Sequence, residues 1–279
     1  MKYFEGFYVK CVGQRDSIAV IFGRQAFKKE KSYSVIFDAS VKNIFKKKPF
    51  EARVDKSFAD KNCLFLDVNT PELVAKGQII FGEFSPIKYD AMGPLKFLPK
   101  MECKHSVISM RHTLKGQIEL NGEFFDFDDG VGYIEGDSGS SFPQKYFWSQ
   151  CNDDRIGVSL FVSAARIPYM GIRFTGTICV IHFEGNEYRF ASYLGARVKQ
   201  IDAKKLLIKQ GKKQLEIETL DNKEGLPLMA PMAGKMTRVI EESLDRVVRY
   251  KLSVNKNVLF DFTSNRAAYE YSSMNSKFS

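Results

Sequence analysis

The sequence predicts an all-β protein, and three observations carry that prediction. Apolar and polar residues alternate in Tyr33-Ser34-Val35-Ile36-Phe37-Asp38 and in Gln214-Leu215-Glu216-Ile217-Glu218, as a strand with one buried face requires. Short glycine-containing turns separate such runs. The aromatic composition is 24 Phe and 12 Tyr against a single Trp, and these rings pack well on a pleated, half-buried surface.

The elements follow in order. Asn121-Gly122 lies between residues 117–120 and 123–126, and Asn-Gly is the favoured pair for a type I′ hairpin turn. Glu184-Gly185-Asn186 separates two further strand-like runs, residues 178–183 and 187–190, and Gln210-Gly211 separates another two. One segment breaks the pattern. From Thr237 to about Lys251, Ile240, Leu244, Val247 and Lys251 recur at helical spacing. Glu241 and Glu242 stand near the start of that segment and Arg246 and Arg249 toward its end, the order that suits a helix dipole. The expectation is therefore one amphipathic helix near the C-terminus among many strands. At 279 residues the chain is long enough for two modest domains. No Pro- or Ser-rich linker marks a boundary, and the strand count places it near residue 170, giving domains 1–170 and 171–279.

Charge and cysteine usage exclude several function classes. The balance of 42 Lys+Arg against 33 Asp+Glu is basic. Its densest clusters, Lys46-Lys47-Lys48 and Lys204-Lys205 through Lys212-Lys213, read as loop or hairpin decoration and continue into no nucleic-acid-binding motif. Nucleic acid is not an expected partner; the surplus reads first as a solvated surface, with weak peripheral contact with an anionic membrane as the alternative. The five cysteines are scattered and never in C-x-x-C spacing, which argues against a disulfide framework or a zinc site and for buried free thiols. No secretory signal and no membrane-spanning apolar run is visible, so a cytoplasmic protein is expected.

Residues 130–152 are unlike the rest. If residues 146–152 form a strand, Tyr146, Trp148, Gln150 and Asn152 share one face. Two aromatics and two amides suit a pocket wall that holds an apolar molecule and reads its polar atoms. By the same parity Tyr133, Glu135 and Asp137 align on the preceding strand. The plainer alternative is an amphipathic hairpin with solvated acids.

This stretch also resembles a family. The run Gly132-Tyr133-Ile134-Glu135-Gly136-Asp137-Ser138-Gly139-Ser140-Ser141-Phe142-Pro143, followed by Trp148, Gln150, Cys151 and Asn152, is similar to the central signature of the tocopherol cyclases. Further matches follow in the family's order. They are residues 3–10, Met101-Glu102-Cys103-Lys104-His105 with Ser109 and His112, residues 163–168, residues 230–236, and Ile240-Glu241-Glu242-Ser243. The chain departs from the family at Ser138, where a Trp is usual, and at Ala268, where a Gly is usual.

The resemblance implies tandem lipocalin-like β-barrels related to carotenoid hydratases. It also implies acid-catalysed cyclisation or hydration of a prenylated, apolar small molecule. Such chemistry needs a carboxylic acid that burial keeps neutral, aromatic faces for a developing cation, and a group that orients a phenol. Asp137 is the first choice for the acid and Glu135 the second. Trp148 and Tyr146 are candidates for the aromatic wall and Tyr133 for a further ligand contact, with His105, Gln150 and Asn152 to hold the phenol. His112 and His182 have weaker claims. No metal and no cofactor are expected. A lipocalin-like carrier with the same pocket and no turnover is the alternative from a different class, and the oligomeric state is left open.

Overall fold

The computed structural model describes residues 2–27, 30–35, 44–47, 50–99, 101–169 and 171–273. Among the described residues the chain is built of strands and two short 3-10 turns. In chain order the strands are β1 (Lys2–Val12), β2 (Ser17–Phe27), β3 (Glu30–Val35), β4 (Ile44–Lys47), β5 (Phe50–Val54), β6 (Ser57–Asp60) and β7 (Cys63–Asn69). Next come β8 (Val74–Phe81), β9 (Cys103–Leu120), β10 (Glu123–Asp126), β11 (Gly130–Gly139), β12 (Tyr146–Asp153), β13 (Val158–Tyr169) and β14 (Ile172–Phe183). The last seven are β15 (Asn186–Ala191), β16 (Arg197–Ile201), β17 (Lys205–Gln210), β18 (Lys213–Thr219), β19 (Leu226–Met232), β20 (Lys235–Val254) and β21 (Asn257–Ser272).

They form two antiparallel sheets. One has 11 strands, in the order β3-β2-β1-β11-β9-β8-β7-β6-β5-β4 with β10 on β9. The other has 10, in the order β15-β14-β13-β12-β21-β20-β18-β17-β16 with β19 on β20. The expected hairpin turns are present. Asn121 and Gly122 both take positive φ (50° and 91°), as do Glu184 and Gly185 (48° and 72°), which matches type I′ geometry. Of the expected strand at residues 33–38, Tyr33, Ser34 and Val35 belong to β3, and Ile36, Phe37 and Asp38 lie outside the described residues. Lys48 lies outside them too. Lys205 in β17 faces Glu218 across the pair with β18, so part of the basic surplus sits opposite acids.

The expected helix over residues 237–251 is not there. That segment is the long strand β20, hydrogen-bonded to β18 on one side and β21 on the other. Its C-terminal half alternates cleanly, with Val248, Tyr250 and Leu252 buried. Register shifts between Ser243 and Arg246 and between Arg246 and Val248 break the phase further back. A bulged strand changes which face its residues occupy, so a period of two acquires steps of three. That slip is what imitated helical spacing.

The chain divides into two compact units. The first comprises Met1–Ile87, His105–Ser140 and Ala233–Lys235; the second comprises Lys88–Lys104, Ser141–Met232 and Met236–Ser279. Residue 170, where the boundary was expected, falls at the connection between the paired strands β13 and β14, and Met170 itself lies outside the described residues.

Each unit has its own apolar core. In the first, Phe7, Val9 and Cys11 of β1, Phe22 of β2 and Ile134 of β11 join Phe50, Ile79 and Ile118. The Phe7 ring lies over Gly136, its partner in register, where an added Cβ would come within 2.8 Å of the ring. Gly136 thus lets β1 close on β11 between Glu135 and Asp137. In the second unit, Phe147 and Cys151 of β12 pack with Leu160, Ile181, Ile208, Ile217 and Tyr250. Each fully buried large apolar side chain contributes about 1.5–3 kcal/mol, so these clusters dominate the stability of their sheets. No helix among the described residues is long and apolar enough to cross a membrane.

Candidate functional site

The first unit assembles a protonic centre on the face of β11 that points away from its core. Alternation puts Ile134 into the apolar cluster and Tyr133 and Glu135 on the opposite side, where both are buried. Tyr133 donates its hydroxyl hydrogen to Glu135 Oε2 at 2.6 Å. His105, from the neighbouring strand β9, lies between the carboxylates. Its Nδ1 is 3.0 Å from Asp137 Oδ1 and its Nε2 is 3.3 Å from Glu135 Oε2. Ser106 Oγ donates to the Gly136 carbonyl at 2.9 Å, which ties β9 to β11 at the centre. Asp137 is the most accessible member, its side chain 21% exposed against 9% for His105 and 6% for Glu135. Burial, and then the neighbouring charge of Glu135, hold the Tyr133 phenol well above its ordinary value, so it acts as a hydrogen-bond donor and not as a base.

His105, Glu135 and Asp137 are also the described residues that could hold a metal ion, with one ligand atom from each within 4.8 Å of the others. The imidazole geometry suits protons better. Its two nitrogens address different carboxylates, and a metal could take only one of them.

Of the expected site residues, His105, Tyr133, Glu135 and Asp137 are brought together. Tyr146, Trp148, Gln150 and Asn152 belong to the second unit and share a face of β12, as parity required. All four are buried and lie outside the apolar cluster that takes Phe147 and Cys151. Tyr146 donates to Glu270 Oε2 at 2.7 Å, and burial and Glu270 raise its phenol well above the ordinary value. Glu270 was missed as a site residue, as was Glu242, which is buried and faces it in register across β20 and β21. Lys10 was missed as well. It is fully buried on β1 directly opposite Tyr133, with Tyr8 opposite Glu135, so both occupy the face of the protonic centre. A signal existed for Lys10, since it alternates with Tyr8 and Gly6, but nothing in one strand reveals its partner.

His112 and His182 take no part. His112 is buried among Phe81 and Phe84, with ring centroids 4.7 and 4.8 Å away, and desolvation lowers its pKa to about 3. Its Nδ1 lies 3.0 Å from Ser109 Oγ, whose own proton goes to the Arg111 carbonyl, so His112 carries its proton on Nδ1. His182 Nε2 lies 3.2 Å from Glu187 Oε2 at the β14–β15 turn. Ala268, where a Gly was usual, sits fully buried in extended β21, paired with Gln150, and its carbonyl accepts from Ser149 Oγ at 2.9 Å. The alanine needs no special backbone there.

Comparison with known proteins places the chain. A curated relative, "Probable tocopherol cyclase, chloroplastic" of Oryza sativa subsp. japonica, is 26% identical over 205 residues, covering 68% of this chain and 44% of its own length. The chain thus spans under half of that relative. Among solved structures, kievitone hydratase from Nectria haematococca matches with a TM-score of 0.53 at 10% identity, over 98% of this chain and 90% of that one. CghA with Sch210972 matches with a TM-score of 0.61 at 7% identity, over 99% and 90%. These two show a shared fold. The family model "Tocopherol cyclase-like" matches residues 72–272, a span that includes the protonic centre and the β12 face, and the chain belongs to that family.

Proposed function

We propose that the chain catalyses acid-assisted cyclisation or hydration of a prenylated, apolar small molecule, with the proton handled by Asp137, His105 and Glu135. The observation that carries this reading is the imidazole held between two carboxylates on a buried strand face. The family supports a cyclase, and a solved neighbour named as a hydratase suits the same first step. Both support reading the sheets as lipocalin-like barrels around a ligand pocket.

In the cyclisation, Asp137, as the reachable acid, adds a proton to the CH carbon of a trisubstituted alkene. The phenol oxygen attacks the tertiary cation, forming the C–O bond. The phenolic proton then passes to the imidazole–carboxylate pair and restores the acid. In the hydration, water takes the place of the phenol. Tyr133 holds Glu135 in place by its short hydrogen bond. The β12 face is a ligand wall in its own right, with Trp148 and Tyr146 as apolar surfaces and Gln150 and Asn152 reading polar atoms.

Incubation with a farnesylated methylquinol, followed by chromatography and mass analysis, tests the reading. The expected result is a ring-closed isomer or a hydrate with wild type, and about 100-fold or greater loss with Asp137→Asn, the scale of a general acid. Equal conversion by both proteins would overturn the assignment.

A further inference from the structure

Among the described residues Lys10 is the one buried lysine, 1% exposed. A lysine taken wholly out of water is rare unless an anion accompanies it, because the ammonium gives up its hydration. The cyclisation and hydration steps above do not employ it.

Strand pairing narrows the choice of anion. Alternation puts Tyr8 and Lys10 on the face of β1 away from the apolar cluster that takes Phe7, Val9 and Cys11. On one flank β2 sets Ala19 opposite Lys10 and Ile21 opposite Tyr8, with Ser17 and Gly23 beyond them, and none of these is acidic. Glu5 has the opposite parity and pairs with Arg24. On the other flank β11 sets Tyr133 opposite Lys10, Glu135 opposite Tyr8 and Asp137 opposite Gly6. On the strands that pair with β1, the carboxylates of this face are therefore Glu135 and Asp137. They stand two and four residues from the register partner of Lys10, about 7 and 14 Å along the strand. The nearer is a diagonal neighbour within reach of a long side chain, and the farther is not.

We propose that Lys10 is a positioning residue of the protonic centre: its ammonium pairs with Glu135 and holds it as a carboxylate, which leaves Asp137 as the proton-donating acid. Glu135 then takes the Tyr133 hydroxyl hydrogen at 2.6 Å, faces His105 Nε2 at 3.3 Å and has the lysine charge beside it. An ionised carboxylate accepts and cannot donate, so it orients the imidazole and offsets the charge the ring gains with the phenolic proton. Without Lys10 the buried carboxylate would compete with His105 for that proton. The inference rests on the reading of Asp137, His105 and Glu135 as the proton-handling groups and divides the work among them.

A double-mutant cycle in urea tests the pair with no substrate present. Lys10→Met and Glu135→Gln each leave the other partner buried and unmatched. The double variant Lys10→Met/Glu135→Gln should therefore unfold at a higher urea concentration than either single variant. Losses that simply add would overturn the pair. If a single variant does not fold, a folded double variant supports the pair, and three unfolded variants would overturn it. The role in transfer is read separately, by turnover of a farnesylated methylquinol at matched folded fraction. Lys10→Met should lower kcat about tenfold or more and leave KM within about twofold of wild type, since the lysine acts on the proton-handling groups. A change confined to KM would overturn the positioning role. A wild type inactive on the quinol, with a positive cycle, would overturn the reaction and the positioning role together and leave the ion pair standing.

Discussion

Each of the two units buries a tyrosine whose hydroxyl donates to a glutamate, and the two pairs differ in what lies behind the glutamate. Tyr133 and Glu135 are two residues apart on one strand, and Glu135 continues to His105 and Asp137. Tyr146 and Glu270 are 124 residues apart, and Glu270 continues to Glu242 and Trp148. A carboxylate backed by an imidazole can exchange a proton with it, as the proposed reaction requires. A carboxyl with another carboxyl as its register partner meets like-charge repulsion when both ionise. The same local device, a buried phenol holding a carboxyl at a fixed angle, thus backs onto the proposed proton-transfer centre in one sheet and onto the proposed ligand wall in the other.

The largest expected effect breaks the transfer side. His105→Phe removes the imidazole between the carboxylates, and turnover of a farnesylated methylquinol should fall by roughly 100- to 10,000-fold. Single-turnover kinetics with folding checked by circular dichroism would show it. A second buried histidine on the same strand sharpens the point. His112 has no carboxylate beside it, and its folded pKa of about 3 lies below the ordinary 6.5. The unfolded chain therefore binds a proton that the folded chain refuses between those values. The stability from neutral His112 is complete above about 6.5 and is lost as pH falls toward about 3, on the order of a few kcal/mol. Urea denaturation at several pH values should show this acid loss in wild type and a flatter profile in His112→Phe.

The tyrosines separate the two sides next. Each hydroxyl bonded to a carboxylate contributes about 1.5–3 kcal/mol, so Tyr133→Phe should lower kcat by roughly 10- to 100-fold. Tyr146→Phe should act mainly on KM, because its glutamate holds a wall and not the moving proton. A reversed kcat and KM split would contradict the division. The smallest effect lies far from both. Asn121→Ala strains the first position of the β9–β10 turn, at φ 50°, and removes the side-chain acceptor of the Val74 N–H. Thermal melts should register a cost of about 1 kcal/mol with turnover unchanged.

Much of the transfer centre was legible because its members obey a short-range rule. Tyr133, Glu135 and Asp137 alternate on one strand, so their common face follows from spacing alone. His105 entered through the family resemblance, and its place between the two carboxylates depends on the β9–β11 pairing. The β12 side was half visible. Parity found Tyr146 and Trp148, but Glu242 and Glu270 reach them only through pairing across long stretches of chain, which residue spacing does not encode. Lys10 was hidden for the same reason. The helix expected near residue 240 failed on a related point, since a bulge in β20 between Ser243 and Arg246 shifted the phase that period counting relies on.

The most direct test of the transfer centre is turnover of the farnesylated methylquinol in heavy water, with the product read by mass and deuterium NMR. Protonation of the alkene by the enzyme predicts one deuterium on the ring methylene beside the new quaternary carbon with wild type, and no labelled product with His105→Phe. Ring closure without deuterium, or equal labelling by the variant, would contradict the account.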